Sequence, residues 1–168
     1  MDRVMIIGCC GAGKSTLARE MHEILGIGVI HLDQYYWKPN WVETESQEWK
    51  KTIETLVDGE RWIMDGNYGG TMDIRLERAD TVLSLDYSTI QCLSRVIIRT
   101  ISHWGKVRPD MSAGCPERLD PFFLHYVATF NKKKRPKIIE RLVKISDTKR
   151  VLTFRGDTEV RRFIAEIS

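Results

Sequence analysis

The stretch Val4-Met5-Ile6-Ile7-Gly8-Cys9-Cys10-Gly11-Ala12-Gly13-Lys14-Ser15-Thr16 sets the frame for the rest of the chain. Four apolar residues in a row fit a strand buried on both faces. The residues after them, Gly8 to Ser15, fit G-x-x-x-x-G-K-[ST]. In that pattern the glycines let the backbone turn tightly, so that N–H groups converge on phosphate oxygens. A helix predicted from Ser15 to Leu25 adds the positive end of its dipole. The motif assigns Gly8, Gly11, Ala12, Gly13, Lys14, Ser15 and Thr16 to the binding of a nucleoside triphosphate. Lys14 reaches the β- and γ-phosphates and the Ser15 hydroxyl ligates Mg²⁺. ATP with Mg²⁺ is the expected cofactor pair.

Outward from this loop, strand and helix patterns alternate. Val29–Leu32 reads as a second strand with Asp33 at its end, and an aromatic loop with Tyr35, Tyr36, Trp37 and Trp41 follows. Ser46 is placed to cap a helix reaching Val57. Trp62–Met64 is a third strand ending at Asp65-Gly66, residues 72–78 are helical, and Thr81–Leu85 is a fourth strand. Residues 88–103 form an amphipathic helix, and 105–116 are rich in Gly, Pro and polar residues, hence a loop. A long helical stretch from Pro121 to Ile145 is broken near Pro136. Val151–Phe154 is a fifth strand and residues 158–167 a closing helix. Such alternation predicts an α/β fold, a five-stranded parallel sheet with helices on both faces, in one domain spanning 1–168.

Bulk properties fit that frame. The 168 residues include 42% hydrophobic and 29% charged side chains, ordinary for a globular domain. No apolar run nears membrane-spanning length, so no membrane partner and a cytoplasmic location are expected. Cys9, Cys10, Cys92 and Cys115 form no C-x-x-C pair, which argues against structural zinc. Adjacent Cys9 and Cys10 in the phosphate loop read as small reduced residues, with a redox switch the alternative. Charge is uneven. Residues 1–98 carry 10 basic and 15 acidic side chains, net −5, and residues 99–168 carry 16 and 8, net +8. A basic half suggests an anionic partner, nucleotide phosphates or nucleic acid.

Asp33 and Asp65 both end strands at the carboxyl edge of the sheet, where open α/β folds bind ligands. A carboxylate there holds Mg²⁺ through water, accepts a proton from an attacking hydroxyl, or caps the next turn. Asp86, ending the fourth strand, is the reserve Mg²⁺ candidate. Arg95 and Arg99 lie one turn apart on one helix face.

The phosphate loop, His31–Trp37, Trp62–Tyr68 and Gly114-Cys115-Pro116-Glu117-Arg118 together resemble the bacterial DNA topology modulation protein family, which is similar to adenylate kinase and other small P-loop kinases. The resemblance covers nearly the whole chain. It implies a small-kinase fold of the adenylate or shikimate kinase type, with residues 105–118 as a lid. It implies an Mg²⁺ role for Asp65, an acceptor-facing catalytic role for Asp33, base stacking by Arg95 and phosphate contact by Arg99. Among the lid cations Lys106, Arg108 and Arg118, Arg118 is taken as catalytic. The chain departs from adenylate kinases after Asp65-Gly66, where Asn67-Tyr68 replaces the pattern leading to an AMP-gripping arginine and Arg75 comes later.

The expected function is an ATP-dependent phosphotransferase acting on a nucleotide, nucleoside or small-molecule acceptor. The alternative is a nucleic-acid-associated ATPase affecting DNA topology, favoured by Lys132-Lys133-Lys134-Arg135 with Lys137. Any nucleic-acid binding is expected to be weak. A GTPase is disfavoured because Asn131-Lys132-Lys133-Lys134 lacks the acid of the guanine-specific motif.

Overall fold

In a computed structural model describing residues 1–168, strand β1 (Arg3–Gly8) occupies the middle of a five-stranded sheet. Its residues from Val4 onward are all buried, as a central strand covered on both faces requires. The sheet order is β2 (Val29–His31), β5 (Trp62–Asp65), β1, β6 (Thr81–Leu85), β7 (Arg150–Phe154), with every pairing parallel. The crossovers are helices: α1 (Lys14–Leu25), α3 (Ser46–Val57), α4 (Met72–Arg78), α5 (Thr89–Ser102), α6 (Pro121–Lys133) and α7 (Arg135–Ile145), with α8 (Asp157–Ile167) closing the chain. Helices cover both faces. None is long and apolar enough to cross a membrane.

Local chemistry explains the boundaries. Ser88 caps α5 in a reciprocal box with Gln91. Asp120 caps α6 through the N–H groups of Phe122 and Phe123. The break near Pro136 falls at Lys134, shared between α6 and α7, with the proline in the first turn of α7 where its missing N–H matters least. At α3 the expected cap is corrected by one residue. Glu45, not Ser46, accepts from the N–H groups of Gln47 and Glu48. A carboxylate suits the positive helix end better than a hydroxyl.

The second strand is shorter than expected. It stops at His31, and Leu32–Tyr36 winds into a short helix, α2, whose Leu32 is buried in the core. Asp33 therefore sits on the first turn of α2 rather than at a strand end. The aromatic loop is also more structured than its sequence suggests. Trp37–Lys38 (β3) and Val42–Glu43 (β4) pair antiparallel around a tight turn in which Asn40 and Trp41 have positive φ.

Candidate active site at the carboxyl edge of the sheet

Gly8 leaves β1 at φ 145, and a side chain there would bring its Cβ to 2.5 Å of the Leu85 carbonyl oxygen. Gly11, at φ 84, packs so tightly on α5 that a Cβ would lie 2.4 Å from the Cys92 carbonyl oxygen. Only glycine is tolerated at both positions. Asn67 pins the loop entry from the side: its Oδ1 accepts from the Gly8 N–H at 3.0 Å and its amide donates to the Gly8 carbonyl at 2.7 Å. Gly13, at φ 95, leads into α1 with no side-chain cap. The backbone N–H groups of Gly11, Gly13, Lys14, Ser15 and Thr16 donate to no protein acceptor. This open row of donors, backed by a helix dipole, fits a polyphosphate. Lys14 lies along the same loop, its Nζ donating to the carbonyls of Gly8 at 3.1 Å and Cys9 at 3.3 Å.

Two carboxylates face this loop. Asp65 ends β5 beside β1, and its Oδ1 accepts from His31 Nδ1 at 3.0 Å. Its Oδ2 is buried with no partner. An orphaned carboxylate oxygen of this kind is rare in a folded interior and could hold a metal ion through water. Burial disfavours charge on His31, but its bond to Asp65 prevails and lifts the imidazole above its ordinary range. Asp33 accepts a short hydrogen bond from the Tyr68 hydroxyl. Burial pushes its carboxyl up, and the Tyr68 bond and the Lys14 charge offset this only in part. Asp86 is removed from the metal candidates: both of its oxygens accept from Arg135, at 2.5 and 2.7 Å, which holds its carboxyl low.

Arg75 is fully buried, donating to the carbonyls of Gly66, Asn67 and Tyr68 at 2.9, 2.5 and 3.0 Å. It braces the segment carrying Asn67 and Tyr68, and burial lowers its guanidinium to about 9. It is not free to grip an acceptor anion. Tyr36, Trp49 and Tyr68 pack on one another with ring centroids 4.6–5.1 Å apart. Tyr36 of the aromatic loop is thus tied to Trp49 and Tyr68, whose hydroxyl reaches Asp33, while Tyr35 is exposed.

The predicted lid, 105–118, docks onto the aromatic hairpin. Gln34 donates to the Pro109 carbonyl at 2.6 Å, the Asn40 N–H to the Gly114 carbonyl at 2.9 Å, and the Trp41 indole to the Pro116 carbonyl at 3.1 Å. Its apolar anchors are Met111 and Cys115, both buried, so the segment is better held than its polar composition suggests. Glu117 is nearly fully buried and gathers Arg108 at 2.5 Å, Arg99 at 3.2 Å and the Thr100 hydroxyl at 3.1 Å. Arg108 also pairs with Asp110 at 2.5 Å. Burial disfavours charge on Asp110, yet Arg108 and the nearby Ser15 hydroxyl hold its carboxyl below the usual range.

Among the expected arginines, Arg99 therefore joins the lid and the phosphate-loop face, where burial and the Arg108 charge lower its guanidinium. Arg95 pairs with Asp157 at 2.5 Å and stacks over Tyr87 at 5.2 Å. Arg118 is largely exposed, 4.0 Å from Asp120 and over the Trp41 ring at 5.9 Å. Arg108 and Asp110 stand nearer the loop than Arg118. Sequence reasoning grouped Arg108 with the other lid cations and missed Asp110, whose only sequence signal is a carboxylate beside Pro109. Asn67 was visible only as part of a motif.

No family model matches the chain, and no curated protein matches its sequence. Among solved structures, a shikimate kinase from Bacteroides thetaiotaomicron is similar with a TM-score of 0.56 at 15% identity, covering 99% of this chain and 96% of that one. A deoxyadenosine kinase from M. mycoides, with dCMP and a flexible dCDP bound, is similar at a TM-score of 0.49 and 16% identity, over 98% and 95%. The first likeness shows the fold, that of a small P-loop kinase. No comparison identifies the DNA topology modulation family.

Proposed function

We propose that this chain is an ATP-dependent phosphotransferase whose acceptor presents a hydroxyl, and no anionic group, to the Asp33 side of the site. The observation that carries the proposal is the set of unpaired N–H donors at Gly11 and residues 13–16, with the Ala12 N–H already given to the Cys9 carbonyl, set against two carboxylates of different character. Gly11, Gly13, Lys14, Ser15 and Thr16 would hold the phosphates of ATP, and Ser15 with Asp65 the Mg²⁺. When bound, the nucleotide and its metal supply the phosphoryl group and neutralise part of its charge.

The chain's own residues do the positioning. Asp33 takes the proton of the acceptor hydroxyl, and Tyr68 holds that carboxylate in place. Arg99 and Arg108 face the loop and offset charge developing on the transferred group; Arg118 supplements them from the rim. Arg95 stacks on the nucleotide base once it leaves Asp157. Arg75 is committed to backbone carbonyls, and this favours a nucleoside or neutral alcohol over a nucleoside monophosphate. Residues 105–118 serve as a lid that excludes water. Four free thiols suit a reducing cytoplasm.

A second reading, ATP hydrolysis on nucleic acid, is favoured by one observation. Lys132, Lys133, Lys134 and Lys137 are exposed and form no ion pairs. One screen separates the two: ADP release with nucleosides, nucleoside monophosphates and small alcohols, each with and without DNA. ADP release that tracks a neutral acceptor supports phosphotransfer. Release stimulated by DNA with no acceptor overturns it.

A further inference from the structure

Helix α5 carries functional residues on one side and an unexpected surface on the other. At about 100° per residue, Cys92, Val96 and Thr100 share the buried side. The opposite pole is Ile90, Ser94, Ile97, Ile98 and Ile101. The four isoleucines are 80%, 41%, 62% and 69% exposed. No charge interrupts them, because both arginines of α5 turn away, Arg95 to Asp157 and Arg99 to Glu117. Two large aromatics are exposed on the same pair of helices. Trp104, 61% exposed, follows α5, and Phe122, 87% exposed, lies at the start of α6, which packs on α5.

We infer that this face is the two-fold interface of a homodimer, formed by α5 packing antiparallel on α5 of a second copy. The spacing is self-complementary. An antiparallel register that sets Ile90 against Ile101 of the second copy also sets Ser94 against Ile97, and each contact then occurs twice, as a two-fold axis demands. Small Ser94 near the centre lets the helices approach closely. Together the exposed parts of the four isoleucines, Trp104 and Phe122 are of the size, about 800 Å², that one partner contributes to a standard interface. A membrane surface fits less well, since interfacial helices flank their apolar face with Lys and Arg, and both arginines of α5 are held in ion pairs while the exposed His103 and Lys106 lie beyond its end. The inference does not depend on the chemistry proposed above.

Sedimentation velocity on the full chain from about 1 to 100 µM spans the range in which such an interface associates. The unaltered chain is expected to be a dimer, and Ile98→Asp a monomer with an unchanged circular dichroism spectrum, its Kd raised roughly 100-fold or more. The register has its own test. Ile90→Lys with Ile101→Lys places like charges together and gives a monomer. Ile90→Lys with Ile101→Glu pairs opposite charges across the axis and restores a salt-sensitive dimer. The inference is overturned if the unaltered chain stays monomeric throughout, if Ile98→Asp remains dimeric, or if the Lys/Glu variant associates no better than the Lys/Lys variant. Should Ile98→Asp unfold, the two double variants decide the matter.

Discussion

Lys14 and Asp33 act on opposite sides of the proposed reaction, and their surroundings predict different consequences of losing them. The Lys14 ammonium touches only carbonyls of its own loop, and that loop is held by glycine geometry and by Asn67. Lys14→Ala should therefore abolish ADP release while leaving the melting temperature within a degree or two, about the effect of a surface change. Wild-type turnover in the folded variant would remove the loop from the mechanism. Asp33 is a buried carboxyl whose pKa lies above its ordinary value in the folded state. The sign follows from linkage: a group with a raised folded pKa contributes stability below its unfolded pKa and loses it as pH rises through the folded one. At neutral pH the charged Asp33 opposes folding, and only there can it take a proton. Asp33→Asn keeps an acceptor for Tyr68 and removes the charge. It should leave the neutral-pH melting temperature unchanged or raised while lowering kcat by about 10²–10⁴-fold, with ATP affinity little altered. Melts and turnover across pH 5–8 check both halves; a variant that is merely less stable would make Asp33 a helix-start carboxylate and nothing more.

Within the proposed lid, residues 105–118, one buried acid ties several contacts together. Glu117 serves Arg99, Arg108 and Thr100 together, so Glu117→Gln leaves Arg99 without its counter-charge and Arg108 with Asp110 alone. Breaking such a buried pair costs about 3–5 kcal/mol. Here the loss should fall on docking of residues 105–118, which would become open to proteolysis before the core unfolds. Equal cleavage rates for variant and parent would show that the Gln34, Asn40 and Trp41 contacts suffice. At this scale sequence and structure also part company. Elements marked by an apolar run or by flanking helix and turn signals were legible: residues 72–78 and 81–85 agree with their predicted bounds, and Ser88 begins the stretch read as α5. Legibility failed where elements are too short for a period. The five residues of α2 and the two-residue strands of the aromatic hairpin depend on contacts with Trp49, Tyr68 and the lid. Site residues divide the same way. The phosphate loop is a contiguous motif and could be read directly. The commitment of Asp86 to Arg135 and of Arg75 to residues 66–68 spans loops that only the fold brings together.

At the scale of the whole molecule, the basic run and the phosphate loop share no hydrogen bond or ion pair. The phosphate loop, Asp33, Asp65 and the lid gather at the carboxyl edge of the sheet, while the densest basic run lies at the α6–α7 junction. Within that run Arg135 is already paired with Asp86, which leaves Lys132, Lys133, Lys134 and Lys137 as the exposed cations. Four phosphate contacts would give an affinity slope of about −0.9 per contact against log salt, so DNA binding should fall roughly 100-fold between 50 and 200 mM salt. Lysine contacts to phosphate carry no base information, so that binding should be indifferent to sequence. Replacing Lys132, Lys133 and Lys134 together with alanine should abolish it while acceptor-dependent ADP release stays at the parental rate, because none of the three touches the site. Fluorescence anisotropy with two unrelated duplexes, titrated with salt, measures the first outcome, and a coupled ADP assay on the same variant measures the second. Tight binding to one duplex at physiological salt, or a loss of turnover in the triple variant, would tie the basic run to catalysis and move nucleic acid from bystander to substrate.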